Sequence, residues 1–313
     1  MIKVRSLRID YEGVTAVDDL SFDVAAGHIY GLVGPNGAGK TSTLKALAGV
    51  IPPTYGDIHL CGVDLEVYPK KAIRDVGYMP DFSPVYEHLK VWEYLDVFAA
   101  AYFCPRAERM LRAREWVSKV RLEDKWDALI STLSRGMRQR LVLAKTLLHD
   151  PRVVLLDEPA SGLDPIGRVE MREVLKQIAL SGKAVIISSH ILTELSDMCQ
   201  AVGIMEKGRM VVSGTVEEIR ALTGMASELV VRISQPEGTS HEQCLNILRG
   251  SLHLKDVSQA GAGEFRAAFK GTEEESAGIL SALVAAGVVV SEFSLRKADV
   301  QDIFLKIGAR ETS

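Results

Sequence analysis

The sequence predicts a mixed α/β fold that carries a helical subdomain and, toward its C-terminus, a small separate α+β domain. Three observations predict it. The apolar run Ile29–Val33 opens directly onto Gly34-Pro35-Asn36-Gly37-Ala38-Gly39-Lys40-Thr41, a strand that turns into a helix through glycines. A second apolar run, residues 153–156, ends in Asp157 and Glu158, as a buried parallel strand does when it delivers acids to the carboxyl edge of a sheet. From Leu229 onward the pattern reads as six short elements in the order β-α-β-β-α-β.

Taken in order, strands are expected at residues 3–9, 21–24, 29–33, 57–60 and 76–79, around a helix that begins at Lys40. Between about 85 and 148 the periodicity turns helical, with Val91, Leu95, Phe98 and Tyr102 on one face and Trp92 and Tyr94 off that stripe. Ser134 stands where an N-cap belongs, ahead of Leu141, Ala144, Leu147 and Leu148 at helical spacing. Beyond the strand at 153–156, a helix is expected at 165–180, a strand at 184–188 and a short helix at 191–198. Strands at 201–206 and 209–213 flank Lys207-Gly208, a turn to which the sequence assigns no chemistry. A closing helix at 216–222 ends the first domain, residues 1–222, and 223–227 reads as a linker. The second domain, 228–313, has strands at 229–233, 257–260, 265–269 and 288–295 and helices at 242–248 and 274–286, the order of a ferredoxin-like domain. Its acids Asp256, Glu264 and 273–275 show no metal-ligand spacing.

The segment from Gly34 to Thr41 satisfies G-x-x-x-x-G-K-[ST] at every required position. Glycines let successive backbone N–H groups turn inward on phosphates, Lys40 neutralises the β and γ oxygens, and the Thr41 hydroxyl ligates Mg²⁺. The following helix adds its positive end, and Ser42 is counted among the nucleotide-binding positions. ATP or GTP is therefore the expected ligand. A glycine-rich turn that carried Lys-Thr by chance would have no reason to sit between a strand and a helix. Asp157 is placed to hold Mg²⁺ through water, and Glu158 to polarise the water that attacks the γ-phosphate. Such general-base assistance contributes about 10²- to 10⁴-fold. Ser134 and Gly136, at a helix start, suit an anionic phosphate as well as they suit simple capping.

From residue 2 to residue 222 these motifs, in this order, resemble the ATPase subunits of ABC transporters. Gly34 to Thr41 is similar to the Walker A loop, 133–137 to the family signature, 153–158 to Walker B and Ser161-Gly162-Leu163-Asp164 to the D-loop. The resemblance implies an ABC-type fold around the phosphate loop, ATP and Mg²⁺ as ligands, and several site residues. Tyr11 matches the aromatic on which adenine stacks, and His190 the switch histidine that contacts the γ-phosphate and orients Glu158 and water. Ser134 and Gly136 match the γ-phosphate contacts of the signature. Asp81, in Val76-Gly77-Tyr78-Met79-Pro80-Asp81, stands where the family carries the Q-loop glutamine. The helical region implies a docking surface for a membrane permease, placed at 84–94. The second domain with its tail, 298–306, is similar to the closing part of export ATPases of the daunorubicin-resistance kind.

Two departures from the family pattern stand out. The signature carries Arg135 and Met137 where glycine and glutamine are usual, so Arg135 is either a surface spectator or an extra cation facing the partner's nucleotide. Asp81 replaces an amide with a carboxylate, which keeps a Mg²⁺ ligand but adds negative charge near the γ-phosphate.

Composition narrows the classes. The chain has 313 residues, a net charge of -4 and four cysteines without a C-x-x-C pair. Neither a nucleic-acid binder as a whole nor a disulfide or zinc framework is indicated, and a reducing cytoplasm is the expected home. The N-terminus lacks a signal peptide's apolar core, and the longest apolar stretch, 279–290, is too short for a bilayer and is broken by Ser281 and Gly287. The family's site pairs the loop of one subunit with the signature of another, and this chain has one of each. The resemblance thus implies a homodimer or a closely related ATPase subunit, bound peripherally to permease subunits at the inner face of the cell membrane. A soluble ABC ATPase acting on DNA or ribosomes would show a long coiled-coil insertion or tandem cassettes, and neither is present. A nucleotide sensor with little turnover draws on Asp81 and Met137, but Glu158 and His190 speak against it.

Overall fold

A computed structural model describes residues 1–191, 195, 198–215, 218–219, 227–234 and 239–296. The chain divides into two compact units, Met1–Val216 and Glu217–Ser313.

The first unit is built on two sheets. An antiparallel sheet holds β1 (Ile2–Tyr11), β2 (Val14–Val24), β4 (Tyr55–Leu60) and β5 (Val63–Asp64) in the order β2-β1-β4-β5. The second holds β3 (Ile29–Val33), β6 (Val76–Met79), β7 (Val153–Asp157), β8 (Ala184–Ser189), β9 (Ala201–Glu206) and β10 (Arg209–Thr215) in the order β10-β9-β3-β8-β7-β6. Within it only β10 runs antiparallel to its neighbour. Every residue of β3, β7 and β8 is buried, which is why these strands read as unbroken apolar runs rather than as alternation. Helix α1 (Lys40–Leu47) leaves the carboxyl end of β3 and buries Leu44 and Leu47 in a core shared by Ile2, Val4 and Leu7 of β1 and Leu155 and Ile186 of the parallel sheet.

Strand β2 is longer than the expected 21–24. The acids Asp18 and Asp19 interrupt the alternation, yet Asp18 is paired with Arg8 (3.1 Å) and Arg209 (2.6 Å), and Asp19 takes φ 54 at an irregular step of the β1–β2 pairing. Among the described residues α-helices follow at α2 (Pro69–Ile73), α3 (Val91–Ala101), α4 (Arg106–Lys119), α5 (Arg135–Leu147) and α6 (Pro165–Leu180). Tyr94, off the expected apolar stripe, is fully buried and packs on Phe98 with ring centroids 4.8 Å apart.

In the second unit β11 (Ser227–Ile233), α7 (Thr239–Gly250), β12 (Leu254–Gly261), β13 (Glu264–Phe269), α8 (Glu273–Ala285) and β14 (Val290–Arg296) follow in chain order. Its antiparallel sheet runs β12-β13-β11-β14, the ferredoxin-like arrangement. Val231, Cys244, Phe265 and Leu283 are completely buried in its core. Two of the acids there serve the fold: Glu264 holds Arg232 and Arg266, and Glu275 closes a capping box with Thr272. Apart from Ile191, Leu195, Met198, Glu218, Ile219 and Ser227, the expected helices at 191–198 and 216–222, the linker and the tail at 298–306 lie outside the described residues.

Candidate functional site

The loop between β3 and α1 is shaped by what stands behind it. A Cβ on Gly34 would lie 2.3 Å from the Met205 carbonyl oxygen, and one on Gly39, at φ 100, 2.4 Å from that of Ala16. Backbone therefore closes on backbone, and only glycine fits. The turn at Lys207-Gly208, to which no chemistry was assigned, takes part: Gly208 N–H donates to Ala38 O (3.1 Å), and Gly208 O accepts from Asp18 N–H (2.8 Å). In front, the N–H groups of Gly37, Gly39, Lys40, Thr41 and Ser42 have no hydrogen-bond partner among the described residues, and no side chain caps α1. A row of free donors at a helix N-terminus is a fit for phosphate oxygens. Lys40 is only 6% exposed, with Nζ donating to Gly34 O (2.7 Å) and Pro35 O (3.2 Å) and lying 4.0 Å from Glu158 Oε1. Burial lowers its pKa, and the nearby Glu158 and Asp157 work against that.

The acids arrive from β7. Asp157 is 1% exposed and accepts a 2.5 Å hydrogen bond from Ser188 Oγ of β8, its register partner. The same Ser188 Oγ accepts from Glu158 N–H at 3.0 Å. Glu158 has φ 49, a left-handed conformation uncommon outside glycine, and this bond helps to hold it there. Its Oε2 lies 3.0 Å from His190 Nδ1. Burial raises the Glu158 pKa, while His190 and Lys40 pull it back. Sequence reading found Asp157, Glu158 and His190 but not Ser188, whose only signal was a polar pair ending an apolar strand.

A second group that sequence reading missed is Tyr78 on β6. Its buried hydroxyl has no partner among the described residues, and its pKa is pushed up by burial first and then by Asp157 and Asp81. Among the described residues no cluster of three or more His, Cys, Asp or Glu is arranged around a metal. Tyr78 has the carboxylates Asp157 and Asp81 for neighbours, and these, with the Thr41 hydroxyl expected from the sequence, are oxygen donors only, which suit a hard cation that keeps its water.

The remaining candidates lie around this centre. Tyr11, 45% exposed, donates to Ser42 Oγ at 3.3 Å, which sets its ring beside the loop. Ser134 is not brought to the loop: its Oγ accepts from Met137 N–H (3.3 Å) and caps α5. Asp81 opens onto a cleft of about 560 Å³ lined also by Phe82, Glu87, Arg135, Arg138 and Gln139.

Comparison with known proteins gives the family. A family model described as "ABC transporter" matches residues 17–161. The "Nod factor export ATP-binding protein I" of Cupriavidus metallidurans is 32% identical over 311 residues, covering 99% of this chain and 98% of that one. This chain belongs to the ABC transporter ATP-binding proteins. An uncharacterized ABC transporter ATP-binding protein of Bacillus subtilis, YhcH, is 38% identical over 212 residues, 67% of this chain and 68% of its own. A solved ATP-binding subunit of an ABC transporter, 30% identical, superposes with a TM-score of 0.65 over 72% of this chain and 93% of that one. The likeness to the Cupriavidus protein runs through the second unit as well. As a member of the ABC ATPases the chain is an ATP hydrolase. In this ABC ATPase the buried Lys40 and His190 each stand within ion-pair or hydrogen-bond reach of the strained Glu158. No described helix is long and apolar enough to cross a membrane.

Proposed function

We propose that this ABC ATPase powers export of a substrate through separate integral membrane permease subunits, by closing and reopening a dimer of ATPase subunits around bound ATP. The observation that carries the reading is Glu158, held by Ser188, 4.0 Å from Lys40 and 3.0 Å from His190. A carboxylate whose pKa is raised by burial is a suitable base for water. Tyr11 takes the adenine, Gly34, Pro35, Asn36, Gly37, Ala38 and Gly39 wrap the phosphates, and Lys40, Thr41 and Ser42 meet them at the start of α1. Thr41, Asp157 and Asp81 would hold Mg²⁺, which when bound neutralises phosphate charge. His190 orients Glu158 toward the γ-phosphate. Ser134 and Gly136 do not reach the loop of their own chain, and they serve the nucleotide of a partner, either an identical copy or a closely related subunit.

Attraction to the γ-phosphate is present only before hydrolysis, so the closed dimer is favoured only then. Residues 1–222 form the motor, with its helical subdomain at about 85–148. The segment 84–94, beside Asp81, receives the permease. Residues 228–313, past a linker at 223–227, form an accessory domain. The work is done at the cytoplasmic face of the membrane, with no nucleic acid involved. Export as the direction is supported by the name of the Cupriavidus relative. The test is ATP hydrolysis by the parent and by Glu158→Gln, with the monomer–dimer state followed in Mg-ATP. The parent turns over, whereas Glu158→Gln loses about 100-fold or more and accumulates as an ATP-bound dimer. A parent that neither hydrolyses nor dimerises with its permease supplied sinks the proposal.

A further inference from the structure

Arg135 does not stand free at the start of α5. A Cβ built on Gly162 would lie 2.3 Å from Arg135 Cζ and 2.5 and 2.6 Å from its two Nη atoms, so the guanidinium rests directly on the Gly162 backbone. Gly162 has φ +69, a second reason for glycine there. One turn further along α5, on the same face, Gln139 Nε2 donates to Ser161 O at 3.2 Å. Between them Gly136 faces Leu163: a Cβ on Gly136 would lie 3.4 Å from Leu163 Cδ2, and Leu163 is buried. Three consecutive residues, 161 to 163, are thus gripped by positions 135, 136 and 139 of one helix. This loop is tied to Glu158 itself by one bond, Ser161 N–H to Glu158 O (3.0 Å), and Leu163 N–H turns back to Ala160 O (3.3 Å).

The geometry points to Arg135 as a positioning residue: with Gln139 it clamps the loop at 161–163 and thereby sets the placement of Glu158. This answers the question its charge raised. Among the described residues Arg135 makes no ion pair, and what touches the loop is the flat face of the guanidinium. Planarity, not charge, is the property used, and lysine does not supply it. The consequence for hydrolysis rests on the reading of Glu158 as the base. The grip itself does not.

The test uses the full chain with Arg135→Gly, Arg135→Lys and Gln139→Met, reading kcat and KM for ATP together with amide hydrogen exchange across 159–164. Each variant lowers kcat by about 3- to 10-fold with KM within about twofold, as expected for a misplaced rather than missing group. Amides of 161–163 exchange faster in all three, and lysine fails to rescue. A raised KM at unchanged kcat, restored by lysine, would make Arg135 a cation for nucleotide and overturn the assignment. Unchanged exchange and kinetics would make it a spectator and overturn it as well. Faster exchange at unchanged kcat would refute the positioning role, while failure of Glu158 as base would show separately in the turnover of Glu158→Gln.

Discussion

Ser188→Ala isolates the least obvious support of the hydrolytic carboxylate. The Ser188 hydroxyl gives a 2.5 Å hydrogen bond to buried Asp157 and receives one of 3.0 Å from Glu158 N–H. A hydrogen bond to a charged group contributes about 1.5 to 3 kcal/mol, and a buried donor left unpaired costs about 1 to 3 kcal/mol. Because alanine removes both bonds at once and some relaxation follows, a loss of about 2 to 4 kcal/mol in stability is expected. The effect on rate comes from the backbone. Glu158 at φ 49 stores about 1 to 2 kcal/mol of left-handed strain. With its tether gone, relaxation by that amount lowers the population of the productive conformer about 5- to 30-fold. Steady-state ATP hydrolysis should show kcat reduced by that factor with KM little changed, since the phosphate loop is untouched. Chemical denaturation checks the stability term. Ser189→Ala is the control, because among the described residues the Ser189 hydroxyl serves only Ile191. Parental kcat in Ser188→Ala, or an equal loss in Ser189→Ala, refutes the reasoning.

For His190→Ala, the group that lowers the Glu158 pKa is removed while burial, which raises it, stays. Glu158 works deprotonated, so the acid limb of the kcat/KM profile moves to higher pH; a limb that stays put or falls contradicts this. Gly39→Ala forces a Cβ to 2.4 Å from the Ala16 carbonyl at φ 100 and should cost about 1 to 3 kcal/mol in thermal unfolding. Gly37→Ala, at φ 82 with open space around it, should cost less. Asp81→Ala should raise the Mg²⁺ concentration needed for half-maximal turnover, and identical metal dependence and turnover would remove Asp81 from the metal set. Tyr11→Ala should weaken ATP binding by about 1 to 3 kcal/mol in a nucleotide titration if the ring stacks on the base.

What was legible in the sequence was whatever is encoded locally. The unbroken apolar runs of β3 and β7 announce strands buried on both faces, and the spacing from Gly34 to Thr41 announces the loop that joins β3 to α1. The acids at the end of β7 follow from the same pattern. What stayed hidden depends on which strand lies beside which. Ser188 reaches Asp157 because β7 and β8 are neighbours in one register, and no window of sequence contains both. The first half of β2 was missed because Asp18 looks unfit for a strand until Arg209, far along the chain, is seen to hold it. Arg135 could be weighed only as a charge, since its use as a flat plate on Gly162 needs the D-loop to be folded against α5.

The bond from Gly208 to Ala38 and the neighbouring one from Asp18 to Gly208 put a condition on how the protein is made. Synthesis delivers the phosphate loop early, but its rear support and β9, a direct neighbour of β3, arrive only after about 160 more residues. A growing chain that has just released Lys40 therefore holds a glycine-rich segment without the wall that shapes it. Nucleotide capture by this subunit is a late event in its biogenesis, and fragments ending before residue 208 should be unable to compete for ATP with finished subunits.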